Sequence, residues 1–237
     1  MKKYDICDLL MSNPYPGRGL ITGLSEDGTG TVLLYFIMGR SINSRNRVFE
    51  KTADGIRTTA YDITKLADPS LIIYHPVRVW EGSIIATNGL QTDTILEYLQ
   101  NGLDFREALY KWEFEPDPPI FTPRISGLIA PDGKYRLSIL KTADFDASCC
   151  CRYFFEYSAP LPGVGHFIST YQTDGAPPPS FEGEPVMIDI SVAGGLDGFA
   201  AAVWDALDSE NKVSLYARKT DIATRESQEV IINMLGQ

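Results

Sequence analysis

The stretch Ile125-Ser126-Gly127-Leu128-Ile129-Ala130-Pro131-Asp132-Gly133-Lys134-Tyr135-Arg136-Leu137-Ser138-Ile139-Leu140-Lys141 decides the fold class. Two strand-forming runs flank Pro131-Asp132-Gly133-Lys134, whose residue types favour a tight turn. The reading is a β-hairpin, which makes its strands antiparallel neighbours. Comparable runs lie upstream at residues 19–24, 31–38, 56–62, 71–80 and 83–87, and downstream at 152–157 and 167–173. Two helical patterns sit between them. One covers 92–99 and is ended by Gly102; the other covers 105–112 and is opened by Asp104, with Glu107 completing a capping box. Ala176-Pro177-Pro178-Pro179-Ser180 reads as a surface loop. After it the pattern predicts a strand (186–192), a helix (199–207), a strand (213–218) and a last helix (223–235). Hairpin-joined strands around a central helix pair indicate an α+β layered fold. Neither a GxGxxG nor a Walker A motif is present, and there is no internal repeat.

Composition narrows the function. With 237 residues, 44% apolar and 22% charged, the chain can bury a substantial core, and we read residues 1–237 as a single domain. It carries 21 basic and 31 acidic residues, a net charge of −10, which argues against binding nucleic acid or an anionic membrane. A local reversal stands out. From Gly28 to Phe49 there is no acidic residue, but Arg40, Arg45 and Arg47 are present. No apolar run reaches the ~18 residues of a membrane span. The first residues lack an apolar signal core, so a cytoplasmic location is expected. The cysteines are Cys7 and the run Cys149-Cys150-Cys151, and the histidines are His75 and His166. No CxxC pair exists, and neither a metal site nor a redox cofactor is expected.

Several polar segments could carry chemistry. Met38-Gly39-Arg40-Ser41-Ile42-Asn43-Ser44-Arg45-Asn46-Arg47 leaves a strand and turns polar. Guanidinium forks donate paired hydrogen bonds to phosphate or carboxylate oxygens, although a solvated loop would look the same. Tyr74-His75-Pro76-Val77-Arg78 places a phenol near an arginine, a donor for a developing oxyanion or an ordinary core tyrosine. Asn88-Gly89-Leu90-Gln91-Thr92-Asp93-Thr94-Ile95 opens a helix. Its free N–H groups could cradle an anion, while Thr92 or Asp93 could be a cap alone. In Trp112-Glu113-Phe114-Glu115-Pro116-Asp117 the charges could be a solvated run, the better reading for Glu113 or Asp117. A carboxylate close to aromatics can instead serve as an acid or base, and Glu115 is the candidate, although composition does not prefer it over Glu113. Thr122-Pro123-Arg124 starts a strand after a rigid turn.

Taken together, these residues resemble the archaeal-type IMP cyclohydrolases. The matching segments are Pro16-Gly17-Arg18, Gly39-Arg40-Ser41 with Asn46-Arg47, Tyr74 with Arg78, Thr87-Asn88-Gly89 with Thr92-Asp93-Thr94-Ile95, Thr122-Pro123-Arg124-Ile125, and Ile168-Ser169-Thr170-Tyr171. The resemblance is good over residues 15–175 and weaker beyond, where 176–237 would complete the sheets or build a homo-oligomer contact. The loop from Arg40 to Arg47 looks longer than the family's, as if it carried an insertion. The resemblance implies a four-layer α-β-β-α sandwich of two stacked, mainly antiparallel sheets, like that of N-terminal-nucleophile hydrolases.

It also implies a reaction: the cyclisation of 5-formamidoimidazole-4-carboxamide ribonucleotide to IMP with loss of water. Such an enzyme is classed as a hydrolase acting on a cyclic amidine and uses a purine ribotide with no cofactor. On that basis Tyr74 and Arg47 act on the reacting groups and Glu115 moves protons. Arg40, Ser41, Asn46, Asn88, Gly89, Thr92, Asp93, Thr122 and Arg124 are the substrate-binding candidates. Two alternatives stand beside it. One is a self-processed amidohydrolase with Cys7, Ser12 or Thr22 as nucleophile. The other is a non-catalytic purine-ribotide-binding protein.

Overall fold

The computed structural model describes residues 2–65, 72–143, 145–191 and 194–236. In chain order the elements are α1 (Ile6–Met11), β1 (Arg18–Leu24), β2 (Gly30–Met38), α2 (Ile42–Arg45), β3 (Arg47–Thr52), β4 (Gly55–Ala60), β5 (Val77–Trp80), β6 (Ser83–Thr87), α3 (Gln91–Gln100) and α4 (Phe105–Leu109). They continue with β7 (Arg124–Ile129), β8 (Tyr135–Ala143), β9 (Asp146–Tyr157), β10 (Val164–Ser169), β11 (Val186–Asp189), α5 (Gly195–Ala206), β12 (Lys212–Asp221) and β13 (Ser227–Asn233). Two sheets result, ordered β11-β10-β1-β2-β12-β13 and β3-β4-β5-β6-β7-β8-β9, with every neighbouring pair antiparallel.

β2 shows why the sheets stack. Successive side chains of a strand point to opposite faces, so a strand covered on both sides must be apolar throughout. Leu33, Tyr35 and Ile37 face the second sheet, where they meet Phe49, Ile56, Ile84, Ile125 and Leu137. Leu34, Phe36 and Met38 face outward, against Ile6 and Leu10 of α1 and Leu196, Phe199, Ala200 and Val203 of α5. A third core lies behind the second sheet, where Ile85, Leu128 and Leu140 pack on Ile95 and Leu96 of α3 and Phe105, Ala108 and Leu109 of α4. Three cores separate four layers: helix, sheet, sheet, helix. Truncating one such buried aromatic, for example Phe36→Ala, costs ~3–5 kcal/mol.

The hairpin at residues 125–141 forms as read, with Ala130 N–H donating to the Lys134 carbonyl at 2.8 Å. Other expectations are corrected. Residues 223–235 are not helical. β12 runs to Asp221, whose carboxylate takes the N–H groups of Ala223 and Thr224, and the chain returns as β13. The β-branched run Val230-Ile231-Ile232 outweighs helix-forming neighbours because it has β12 to pair with. Residues 47–52 form an unexpected edge strand, disguised by the exposed charged pair Glu50-Lys51. The helix expected over 105–112 ends at Leu109, and the one expected over 199–207 starts at Gly195. The strand expected over 152–157 starts at Asp146, and the one expected over 71–80 is regular only from Val77. Leu71 and Val192, ends of two expected strands, lie outside the described residues. Among the described residues, no helix is long and apolar enough to cross a membrane.

One buried titratable group sets a pH limit on this frame. His166 of β10 shares a hydrogen bond with the Tyr135 hydroxyl, Nδ1 to oxygen at 2.6 Å, and stacks on Tyr157 at 3.9 Å. Burial lowers its pKa from 6.5 to about 4. The unfolded chain therefore binds this proton at a higher pH than the folded chain, and stability is lost as pH falls from 6.5 toward 4. Urea unfolding at pH 7 and pH 5 should show this loss, and His166→Gln should shrink the difference between the two pH values.

Candidate active site

Seven polar side chains come from seven different places in the sequence but from one end of the sheets. Arg18 opens β1, Arg47 opens β3, and Arg124 opens β7. Tyr74 precedes β5, Asn88 follows β6, Glu115 follows α4 and Tyr171 follows β10. Antiparallel pairing makes these starts and ends neighbours, as in the Arg18–Ile37 and Thr87–Ser126 registers. Gly17 permits the approach to β1: its φ is +77°, and a Cβ there would lie 2.3 Å from Thr170 Oγ1.

The site's charge is unbalanced. Arg47 is 1% exposed, donating from Nε to the Ser44 carbonyl at 2.8 Å and from one terminal nitrogen to the Met38 carbonyl at 3.4 Å. Among the described residues, no carboxylate lies within 4.0 Å of Arg47 or Arg18. Burial, then the like charge of Arg18, holds Arg47 below its ordinary value. Burial also lowers Arg18, but Glu115 and the surrounding tyrosines outweigh it and hold Arg18 above its ordinary value. Arg124 is stacked over Trp112 at 4.7 Å, donates to Gln91 Oε1 at 3.0 Å and stands 3.8 Å from Glu115. The Nε atoms of Arg18 and Arg124 are buried without a hydrogen-bond partner among the described residues. Three guanidinium groups thus stand around Glu115, with the Asp117 carboxylate acting on Arg124 more weakly than Glu115 does. An anion entering here would meet donors already in place, and a buried cation without a counter-charge is costly.

Glu115, not Glu113, faces this cluster. The 115–122 turn is closed by Glu115 N–H to the Thr122 carbonyl at 2.8 Å, and Phe114 packs edge-on against Phe121 at 5.5 Å. Glu115 is therefore buried at 4% exposure, whereas Glu113 is exposed and 3.8 Å from Arg152. Burial pushes Glu115 above the ordinary carboxylate range against the pull of Arg18 and Arg124. A carboxyl group held above its ordinary range is a better proton carrier than an exposed one.

The hydroxyl groups are organised in two sets. Tyr74 and Tyr35 meet oxygen to oxygen at 3.1 Å. Thr122 gives its hydroxyl proton to Asp117 at 2.6 Å, which leaves it accepting from Tyr171 at 2.9 Å. Tyr171 stacks on Tyr15 at 5.7 Å, and Arg40 covers the Tyr15 ring at 4.4 Å.

The sequence candidates divide accordingly. Arg47, Tyr74, Glu115, Asn88, Thr122 and Arg124 converge. Asn88 supports the cluster: its amide donates to the Pro123 carbonyl at 2.9 Å and accepts from Ile125 N–H at 2.8 Å and Gln91 at 3.1 Å. Gly89 seats Arg124. Arg40 lies exposed at the rim, held by Asp174 at 2.6 Å. Ser41 is exposed and caps α2 with Ser44, while Asn46 is buried against Asp62 backbone groups. Thr92 hydrogen bonds Thr87 at 2.6 Å, and Asp93 pairs outward with Arg78 at 2.8 Å. Neither caps α3, whose N-cap is Leu90 with no side-chain bond. The N–H groups of Asn88, Gly89, Thr92 and Asp93 are bonded within the protein, so they do not form the open cradle that the sequence suggests. Sequence reading gave no role to Arg18, Tyr35, Tyr15 or Tyr171. Gly17 before Arg18 was the available signal.

The fold and site define a two-sheet α+β protein with a buried arginine–carboxylate–phenol cluster suited to a small anionic ligand. A family profile described as "IMP cyclohydrolase-like protein" matches residues 15–225, and the chain belongs to this family. It is 29% identical to a Methanopyrus kandleri protein named IMP cyclohydrolase over 160 residues, covering 66% of this chain and 75% of that one. It is 28% identical to a protein of the same name from Methanococcus aeolicus over 163 residues, covering 67% and 74%. A Halobacterium salinarum protein of that name is 30% identical over 131 residues, covering 54% and 63%.

A Cβ on Gly89 would lie 2.4 Å from an Arg124 terminal nitrogen. Gly89→Ala should therefore unseat Arg124 from Trp112, at a stability cost of about 0.5–2 kcal/mol because the displaced group is a side-chain end. Tryptophan emission should change, and the change should vanish in a Trp112→Phe background.

Proposed function

We propose that this chain is an IMP cyclohydrolase, closing the second ring of 5-formamidoimidazole-4-carboxamide ribonucleotide to give IMP. Family membership supports the class of reaction. The observation that carries the reading is the meeting of Arg47, Tyr74 and Glu115 in one buried, net-positive cluster. In the reaction the carboxamide nitrogen forms a bond to the formyl carbon and the formyl oxygen leaves as water, taking one proton from each of the two nitrogens. Both reacting groups belong to one substrate, so orientation and charge stabilisation suffice.

Tyr74 donates to the formyl oxygen as it gains charge, and Arg47 stabilises the same charge. Glu115 carries protons from nitrogen to the leaving oxygen. Arg18 and Arg124, with unused Nε donors, hold anionic or carbonyl oxygens of the ribotide. Arg40 guards the rim, while Asn88, Gly89 and Thr122 hold the substrate-facing groups in place. We further propose that the four layers are those of an N-terminal-nucleophile-hydrolase-like sandwich and that the enzyme works in the cytoplasm without a metal. Self-processing at Thr22 is disfavoured, because that residue lies mid-strand in β1, paired on both sides with β2 and β10.

The test is to incubate the purified protein with the formamido ribotide and follow IMP by absorbance. Turnover is expected. Tyr74→Phe should lower it by ~10²–10³ with the fold intact, the usual loss for one oxyanion donor. A near-normal rate in that variant would remove Tyr74 from the reaction. Glu115→Gln should abolish a rate-controlling ionisation that in the parent protein lies above the ordinary carboxylate range.

A further inference from the structure

We infer that Tyr35 is a positioning residue for Tyr74: its hydroxyl donates to the Tyr74 oxygen and so commits the Tyr74 proton to the ligand. This rests on the functional reading above and adds to it a direction for the hydrogen bond.

Tyr35 belongs to β2, a central strand, with Leu20 and Tyr216 as its neighbours across the sheet. It is 0% exposed and its ring stacks against Phe49 at 5.9 Å. Its hydroxyl has one hydrogen-bond partner among the described residues, Tyr74 Oη at 3.1 Å. Two arrangements are available. If Tyr74 donated, the Tyr35 proton would be buried with no acceptor, an arrangement that proteins avoid. If Tyr35 donates, every proton has a use: Tyr74 accepts at its oxygen and keeps its own proton for a group entering the site. Arg18 and Arg47, which act on both phenols, favour oxygen lone pairs turned toward them.

A phenol that accepts a hydrogen bond is polarised into a better donor. The chain Tyr35 to Tyr74 to ligand oxygen therefore makes Tyr74 a hydrogen-bond donor in the reaction and not a base. Because Tyr35 is fixed in the inter-sheet core, the Tyr74 hydroxyl is oriented before the ligand arrives.

The experiment is a double-mutant cycle. Turnover of the formamido ribotide is measured for the parent protein, Tyr35→Phe, Tyr74→Phe and the double variant, with thermal unfolding of each. Tyr35→Phe keeps the ring and its stack on Phe49. We expect it to lower kcat roughly five- to tenfold, the worth of one neutral hydrogen bond, with KM little changed. On the Tyr74→Phe background the same change should have no further effect on kcat. A kcat for Tyr35→Phe equal to the parent's, or an equal loss in both backgrounds, would overturn the inference. Affinity for IMP, measured by calorimetry on the same four proteins, supplies a second cycle and should show the same non-additivity. A parent protein that neither cyclises the ribotide nor binds IMP fails the functional reading itself, an outcome distinct from an active parent with an unaffected Tyr35→Phe.

Discussion

Guanidinium groups remain charged at any pH a protein meets, so burying one demands a counter-charge or a full set of acceptors. In this molecule Arg47 is buried with two carbonyl oxygens as its hydrogen-bond partners among the described residues, and Arg18 and Arg124 converge with it on Glu115. The arrangement leaves positive charge uncompensated within a chain of net charge −10. It also explains why Glu115 is held among cations yet keeps a raised pKa: burial exceeds their pull. An anionic ligand with polarisable oxygens would balance the site. The surrounding structure fixes these groups in place.

The two sheets supply the rigidity. Each arginine opens a strand and is fixed by that strand's register, and Tyr74 is anchored on both sides through Thr58, whose hydroxyl accepts from Tyr74 N–H at 3.1 Å. Asn88 donates to the Pro123 carbonyl and to Glu115 Oε1 and accepts from Ile125 N–H and Gln91, so it ties Glu115 to the start of β7 and to the partner of Arg124. Thr122 acts in the same way between Asp117 and Tyr171. Substitution of either would loosen several groups of the cluster at once.

Much of the sheet arrangement was legible because strand and turn chemistry is local. The hairpin at residues 125–141 needed only its own residues, and β2 announced double burial by its unbroken apolar run. Residues 223–235 were not legible as strand, because their pairing with β12 depends on a turn closed by the Asp221 side chain. Within the site, Arg47 and Tyr74 could be picked from sequence, as could a glutamate near residue 115. The choice of Glu115 over Glu113 is made by the turn that buries one and exposes the other. Arg18, quoted only within a matching segment, and Tyr35 were given no role for a physical reason: strands distant in sequence are what bring each beside Tyr74.

The most direct test of the account is a crystal structure of the protein with IMP bound. The purine ring's newly closed edge should lie within hydrogen-bonding distance of the Tyr74 hydroxyl and Glu115, with Arg18, Arg47 and Arg124 around the nucleotide's oxygens. IMP seated elsewhere, with these groups unchanged, would contradict it.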